Sequence, residues 1–243
     1  MQLVFCKDTD ILSDHIILTD KWKIHHLKDV LRLKAGDVII ACNNKGVRYS
    51  CKIAQMDREK IILNIADKLD SYKRHSWITA ACAIPKKSRM DDIVDKLTQL
   101  GVDSIIPLKT ERTVVRLDKH NEQTKLKRWS RIAMASAEQS RRATIPIIEM
   151  VKDIEGALKD SQEFSLKLIF TLSGQRKKLR EVIDERGSSS TIFFIGPEGD
   201  FTEREVLLAQ KYGCIPLNLG EQVLRVETAA IAVASFLMLY ENS

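Results

Sequence analysis

Apolar and polar positions change rhythm along this chain. Residues 38–42, 47–53 and 60–65 are short β-branched runs, with Asn43-Asn44-Lys45-Gly46 as a hairpin loop between the first two and Ala35-Gly36-Asp37 as a further turn. Such spacing predicts a small β-barrel or sandwich over residues 1–70. Residues 23–33 read as a short helix. His25 and His26 are adjacent on it and face different ways, as surface or turn histidines do rather than a metal pair. The polar stretch 67–74 predicts a linker, which sets a first domain at 1–70 and a second at 73–243.

From residue 77 onward, strand and helix patterns alternate. Residues 77–84 predict a strand. Residues 88–100 predict a helix with Met90, Ile93, Val94, Leu97 and Leu100 on one face and Gly101 at its end. Residues 102–108 predict the next strand, and strand–helix–strand at this spacing implies a parallel βαβ unit. A long helix is expected over 121–142, with Leu126, Trp129, Ile132 and Ala133 inward and a dense basic face. A strand at 145–150, a helix at 153–159, a strand at 164–172 and a charged helix at 176–186 follow.

The strand 191–195 then breaks at Gly196-Pro197-Glu198-Gly199, and a helix starts with Thr202 and Glu205 spaced as a capping box; Gly213 closes it. After a short strand at 215–219, Gly220 opens a loop over 221–225. Residues 227–240 read as a helix apolar almost all the way round, hence buried. Strand ends facing helix starts form the kind of crevice in which open α/β sheets bind ligands. The predicted fold class is α/β, a parallel-sheet domain behind a β-rich one.

Composition narrows the picture. The chain has 243 residues, 44% of them hydrophobic, enough for a large core plus a small one. Its net charge is +6 and its pI about 9.0. The excess sits in the middle: residues 71–142 hold 16 Lys and Arg against 8 Asp and Glu, whereas 143–243 hold 11 against 15. A basic middle permits a polyanionic partner. Five cysteines without a C-x-x-C spacing point to a reduced, cytoplasmic setting. Lys7 and three aspartates within the first 14 residues argue against a leader, and no apolar run reaches the length of a membrane span, so a soluble protein with no membrane partner is expected.

Familiar catalytic patterns are missing: there is no G-x-S-x-G, Walker loop, H-E-x-x-H or G-x-G-x-x-G. All five histidines lie in the first half, which disfavours a histidine triad, and no metal set is expected. What remains is the pair of glycine turns and a lone Arg225 at a helix entrance, with an ion pair to Glu221 or Glu227 as its plainer role.

These residues resemble the RsmE family, knotted SPOUT-class methyltransferases of small-subunit ribosomal RNA. The family pattern G-P-E-G-G-[FL]-[ST]-x-x-E stands here as Gly196-Pro197-Glu198-Gly199-Asp200-Phe201-Thr202-Glu203-Arg204-Glu205. The pattern L-G-x-R-I-L-R-x-E-T-A stands as Leu219 to Ala229. The likeness spans nearly the whole chain. His26-Leu27 through Leu33 to Gly36-Asp37 matches the start of the family's PUA-like β-barrel. Pro85-Lys86-Lys87 with Arg89-Met90 matches its first βαβ segment, and Ala137-Glu138-Gln139-Ser140 with Arg142 its basic helix. Three residues depart from the pattern: Asp200 replaces a glycine and makes the turn less permissive, Gln222 replaces an arginine, and Gln99 replaces a glutamate.

The resemblance implies a trefoil knot near the C-terminus that binds S-adenosyl-L-methionine. It assigns the cofactor to Thr171, Leu172, Gly196, Pro197, Glu198, Gly199, Leu219, Gly220, Val223, Leu224, Arg225, Thr228 and Ala229. The implied reaction methylates N3 of a uridine in 16S ribosomal RNA, free or in an assembled small subunit. Arg225 and Arg142 would stabilise the charge on the base, with Glu138 or Glu227 accepting a proton or orienting an arginine. Arg32, Lys86, Lys87, Arg89, Arg112, Arg116 and Arg142 would meet RNA phosphates, and related enzymes pair as homodimers. The alternatives are a non-catalytic RNA-binding protein of ribosome assembly, or a metabolic enzyme that uses the glycine turns to hold a mononucleotide or phosphate.

Overall fold

The computed structural model describes residues 1–70, 76–86, 88–114, 118–172, 177–186 and 189–241. The chain divides into two compact units, Met1–Lys73 with Ala137–Ile145 and Arg74–Ser136 with Pro146–Ser243.

In the first unit β1 (Gln2–Phe5), β2 (His15–Leu18), helix α1 (Lys21–His25), β3 (Val38–Cys42), β4 (Arg48–Met56) and β5 (Ile61–Leu69) form a five-stranded sheet of order β1-β3-β4-β5-β2. All its pairings are antiparallel except β1 with β3. Alternation turns one side of each strand inward: Cys51 and Ile53 of β4 are buried while Lys52 and Ala54 are exposed. With Val4, Ile16, Leu18, Ile39, Ile61 and Leu63 they form the core of this unit. The pattern of the sequence finds β3, β4 and β5 but not β1 or β2, each of only four residues. The helix expected over 23–33 is the short α1, continued by a π-turn at His26–Val30. Within it His25 Nδ1 meets Asp29 at 2.7 Å and His26 stacks on Trp22.

The second unit runs through β6 (Trp77–Ala83), α2 (Arg89–Gln99), β7 (Ser104–Lys109), α3 (Lys119–Gln139), β8 (Ile147–Ile148), β9 (Lys152–Asp153), α4 (Ile154–Asp160), β10 (Leu166–Phe170), β11 (Lys177–Lys178), α5 (Leu179–Arg186), β12 (Ser190–Ile195), α6 (Glu203–Lys211), β13 (Ile215–Asn218) and α7 (Val226–Glu241). Its sheet has the order β11-β13-β10-β12-β6-β7-β8, with β9 also on β7, and every pairing is parallel. Strands β6, β7 and β12 are buried along nearly their whole length, which is why they read as continuous apolar runs. The expected charged helix at 176–186 begins later, because Lys177 and Lys178 pair with β13 as a short strand; Arg176 lies outside the described residues.

Helix α7 meets the expectation of burial in part. It buries Ala230, Val233, Ala234 and Leu237 and packs on α2, β6 and β12. Its other side is partly open, and Leu239 is 61% exposed. An apolar composition therefore covers one face with core and leaves another available. Helix α3 also does more than its pattern implies. Its final residues, from Ala137, belong to the first unit. The helix ends with Arg141 at φ +58°, Arg141 N–H on Glu138 O and Arg142 N–H on Ala137 O, the bond pattern that usually places a glycine there.

Candidate active site

Register sets three strand ends side by side. Phe170, the last residue of β10, pairs with Ile195, the last of β12, and with Leu217 of β13. The chain leaving each strand opens at the same edge of the sheet, at the carboxyl ends of the strands. The three loops line one open crevice.

The first loop contributes Thr171 and Leu172 to the lining. Thr171 N–H continues the sheet by donating to Leu217 O at 3.1 Å. The second loop contributes Gly196, Pro197, Glu198 and Asp200. A side chain at 196 would place its Cβ 3.0 Å from the Phe201 ring and 3.1 Å from Phe201 N, so any other residue would make this buried phenylalanine or the turn give by a few tenths of an ångström. Asp200 N–H donates to Pro197 O at 2.9 Å, and Asp200 itself takes φ +63°. Aspartate tolerates that conformation better than most residues, and here both of its carboxylate oxygens accept hydrogen bonds. Oδ2 accepts from Thr171 Oγ1 at 2.9 Å and Leu172 N–H at 2.8 Å, and Oδ1 accepts from Phe201 N–H at 2.8 Å. The turn, expected to be less permissive with aspartate in place of glycine, keeps a left-handed backbone at Asp200 and has a tie to the neighbouring loop.

The capping box at the start of α6 is formed: Thr202 Oγ1 accepts from Glu205 N–H, and Glu205 Oε2 accepts from Thr202 N–H at 2.8 Å. Glu205 is only 3% exposed, and its second oxygen accepts from Glu111 N–H at 2.9 Å. Beside it the Arg112 guanidinium donates to Gly199 O.

The third loop contributes Leu219, Gly220, Gln222, Val223 and Leu224, with Asn218 at its root and Val226 and Ala229 of α7 beneath. Gly220 has φ +109°, a conformation that glycine takes without strain, and its N–H reaches Asn218 Oδ1 at 3.3 Å. Arg89 of α2 lies between the second loop and the start of α7, 3.8 Å from Glu198 and 3.7 Å from Glu227. The remaining Glu227 oxygen, Oε2, is buried and has no hydrogen-bond partner among the described residues. Arg225 is exposed, between the lining residues Leu224 and Val226, and makes no ion pair among the described residues.

Most residues assigned to the cofactor thus wall one crevice; Gly199, Arg225 and Thr228 lie outside the lining. Pattern reading missed Asn218 and gave no binding role to Asp200 or Gln222. Among the residues assigned to RNA, Lys86 is exposed, and Arg32 is exposed in the first unit with φ +55°. Arg89 and Arg112 brace the loops of the crevice. Lys87 and Arg116 lie outside the described residues. Arg142 and Glu138 belong to the first unit. Glu138 is 4% exposed and accepts from Phe5 N–H at 3.2 Å; burial pushes its carboxyl above the usual range. Among the described residues, the lining holds two carboxylates, Glu198 and Asp200, and no Lys, Arg or His. Among the described residues, no cluster of three or more His, Cys, Asp or Glu could hold a metal ion.

A family model for an RNA methyltransferase domain matches residues 73–238, and one for an RNA methyltransferase PUA domain matches residues 18–66. The chain is 36% identical over 219 residues to the ribosomal RNA small subunit methyltransferase E of Mesomycoplasma hyopneumoniae, covering 90% of this chain and 92% of that protein. The chain belongs to the ribosomal RNA small subunit methyltransferase E family. Solved relatives carry the same fold throughout. A methyltransferase of Legionella pneumophila, in complex with bound cofactor SAM, superposes with a TM-score of 0.88 at 28% identity, covering 98% of this chain and 97% of that one. The methyltransferase E of Neisseria gonorrhoeae, bound to S-adenosyl methionine, gives 0.87 at 27% identity, covering 99% and 98%. Family membership accounts for both units at once, the PUA match falling on the five-stranded sheet and the methyltransferase match on the parallel one.

Proposed function

We propose that this protein methylates small-subunit ribosomal RNA, using S-adenosylmethionine held in the crevice at the ends of β10, β12 and β13, and that the methyl acceptor is N3 of a uridine. The observation that carries the reading is the lining itself. Leu172, Leu219 and Leu224 offer apolar walls for a flat base, the glycine turns bring backbone close to it, and the charged groups among the described lining residues are carboxylates. Among the described lining residues a phosphate ligand would meet two anions and no cation, which counts against a mononucleotide or phosphate site. A cationic cofactor suits it. The solved relatives named above carry this cofactor, which supports the same assignment here.

When bound, the cofactor supplies an electrophilic methyl group whose transfer leaves a neutral thioether. The work left to the protein is on the base. The imide N–H must lose its proton, and negative charge then spreads onto O2 and O4. A fixed cation beside those oxygens lowers that barrier. Arg225, exposed and free of an ion pair among the described residues, is assigned this role. Glu227 offers an unsatisfied oxygen two residues further on and is our choice of proton acceptor; the bond from Phe5 N–H to Glu138 favours a bracing role for that carboxylate. Return of the chain from β13 to α7, which packs back on β6 and β12, is the segment we assign to the knot implied by the family resemblance.

The test is methyl transfer from labelled cofactor to small subunits and to naked rRNA, with the product nucleoside identified by mass spectrometry. The expected product is 3-methyluridine. Arg225→Ala is expected to lower kcat by about 10²–10³-fold while leaving cofactor affinity within a few-fold. Cofactor binding without transfer to either RNA would favour the non-catalytic assembly factor. A variant as fast as wild type would remove Arg225 from the mechanism.

A further inference from the structure

The two carboxylates of the crevice are not equivalent. Glu198 has a cation within 4 Å, since Arg89 stands 3.8 Å away. Asp200 has none among the described residues: its partners are a hydroxyl and two backbone N–H groups, all neutral. Its side chain cannot swing away to find a cation, because the bonds to Thr171, Leu172 and Phe201 fix both oxygens in the wall between the first and second loops. A fixed negative charge with no ion-pair partner among the described residues therefore lines a crevice whose described lining contains no Lys, Arg or His. Such a charge acts over several ångströms along low-dielectric walls, so its effect on a ligand does not require contact.

We infer that Asp200 is a specificity-determining residue that makes the crevice prefer the sulfonium cofactor to the thioether left after transfer. The inference rests on the cofactor assignment made above and extends it. Substrate and product cofactors share adenosine, the α-amino group and the α-carboxylate. They differ in the methyl group and in one positive charge on sulfur. An anion fixed in the wall stabilises the first and is indifferent to the second, so methyl transfer itself cancels part of the attraction and favours exchange of product for fresh cofactor. The same carboxylate ties Thr171 and Leu172 to the turn, and this positioning affects both ligands alike. The ratio of the two affinities isolates the charge from the tie.

The experiment is calorimetric titration of wild type, Asp200→Asn and Asp200→Gly with three ligands: S-adenosylmethionine, S-adenosylhomocysteine and sinefungin, whose amine places a cation near the sulfonium position. Asparagine keeps an acceptor toward Thr171 and Leu172 and removes the charge. Glycine takes φ +63° freely, so it provides a second folded variant lacking both charge and tie. Expected is a fall of roughly tenfold in the preference for both cations over S-adenosylhomocysteine in either variant, with a general weakening of all three ligands added in the glycine variant. Equal changes for all three ligands in both variants, or no change, would overturn the inference while leaving the cofactor assignment intact. A wild-type protein that binds none of the three would overturn both.

Discussion

Gly196 shows how one missing side chain can hold a site open. The Cβ of any other residue would press on Phe201, which is 1% exposed and cannot retreat into solvent. Gly196→Ala is therefore expected to cost about 1–3 kcal/mol of stability, measured by urea denaturation, and to weaken cofactor binding as the turn shifts. This residue, like Gly220, was legible in the sequence because a glycine directly after an apolar run marks the place where a strand gives way to a turn. Asp200 was not. Its carboxylate bonds Thr171 and Leu172, more than two dozen positions earlier, which the parallel pairing of β10 with β12 brings within reach. Arg89 and Arg112 were hidden for a related reason. A basic side chain in a basic stretch resembles a phosphate ligand, and only tertiary structure reveals that one spans Glu198 and Glu227 and the other grips Gly199.

Among the elements, α6 is the most fully specified by local sequence. Its capping box lies where the T-x-x-E spacing places it. The distant role of Glu205 was not legible, since its second oxygen serves Glu111 N–H on a separate loop. The two residues are thus expected to differ on truncation. Thr202→Ala should cost about 1 kcal/mol, as lost caps do. Glu205→Ala, which strands two N–H donors, should cost about 2–4 kcal/mol and disturb the Arg112 contact to Gly199. Thermal or urea denaturation of both variants, with cofactor titration alongside, checks the order. Buried parallel strands were legible as apolar runs, but β1 and β2 were not, because four residues carry too little periodicity. Helix α7 was legible as a helix but not in its burial, since composition counts apolar residues without saying which side meets a neighbour.

Across the whole molecule, all five cysteines are free and buried. Burial raises every thiol: Cys6, Cys82 and Cys214 to about 12, Cys51 to about 11, and Cys42 upward as well. A raised thiol pKa stabilises the fold fully below the unfolded value of 9.0, and that stabilisation is lost as pH climbs through the folded values. At pH 8 a disulfide reagent is expected to label none of the five in the native state and all five in guanidinium, at rates that follow global unfolding. Rapid labelling of any one in the native protein would contradict this packing. The same thiols record how the chain is woven, for Cys42 Sγ donates to Ala143 O in the nine-residue stretch Ala137–Ile145 that returns to the first unit. Asn44 accepts from Ile145 N–H and Glu138 from Phe5 N–H in that same stretch. The small PUA module is consequently discontinuous in the gene. Anyone grafting it between relatives would have to move two separated pieces of coding sequence together, and a cut after residue 73 would leave it without its final brace.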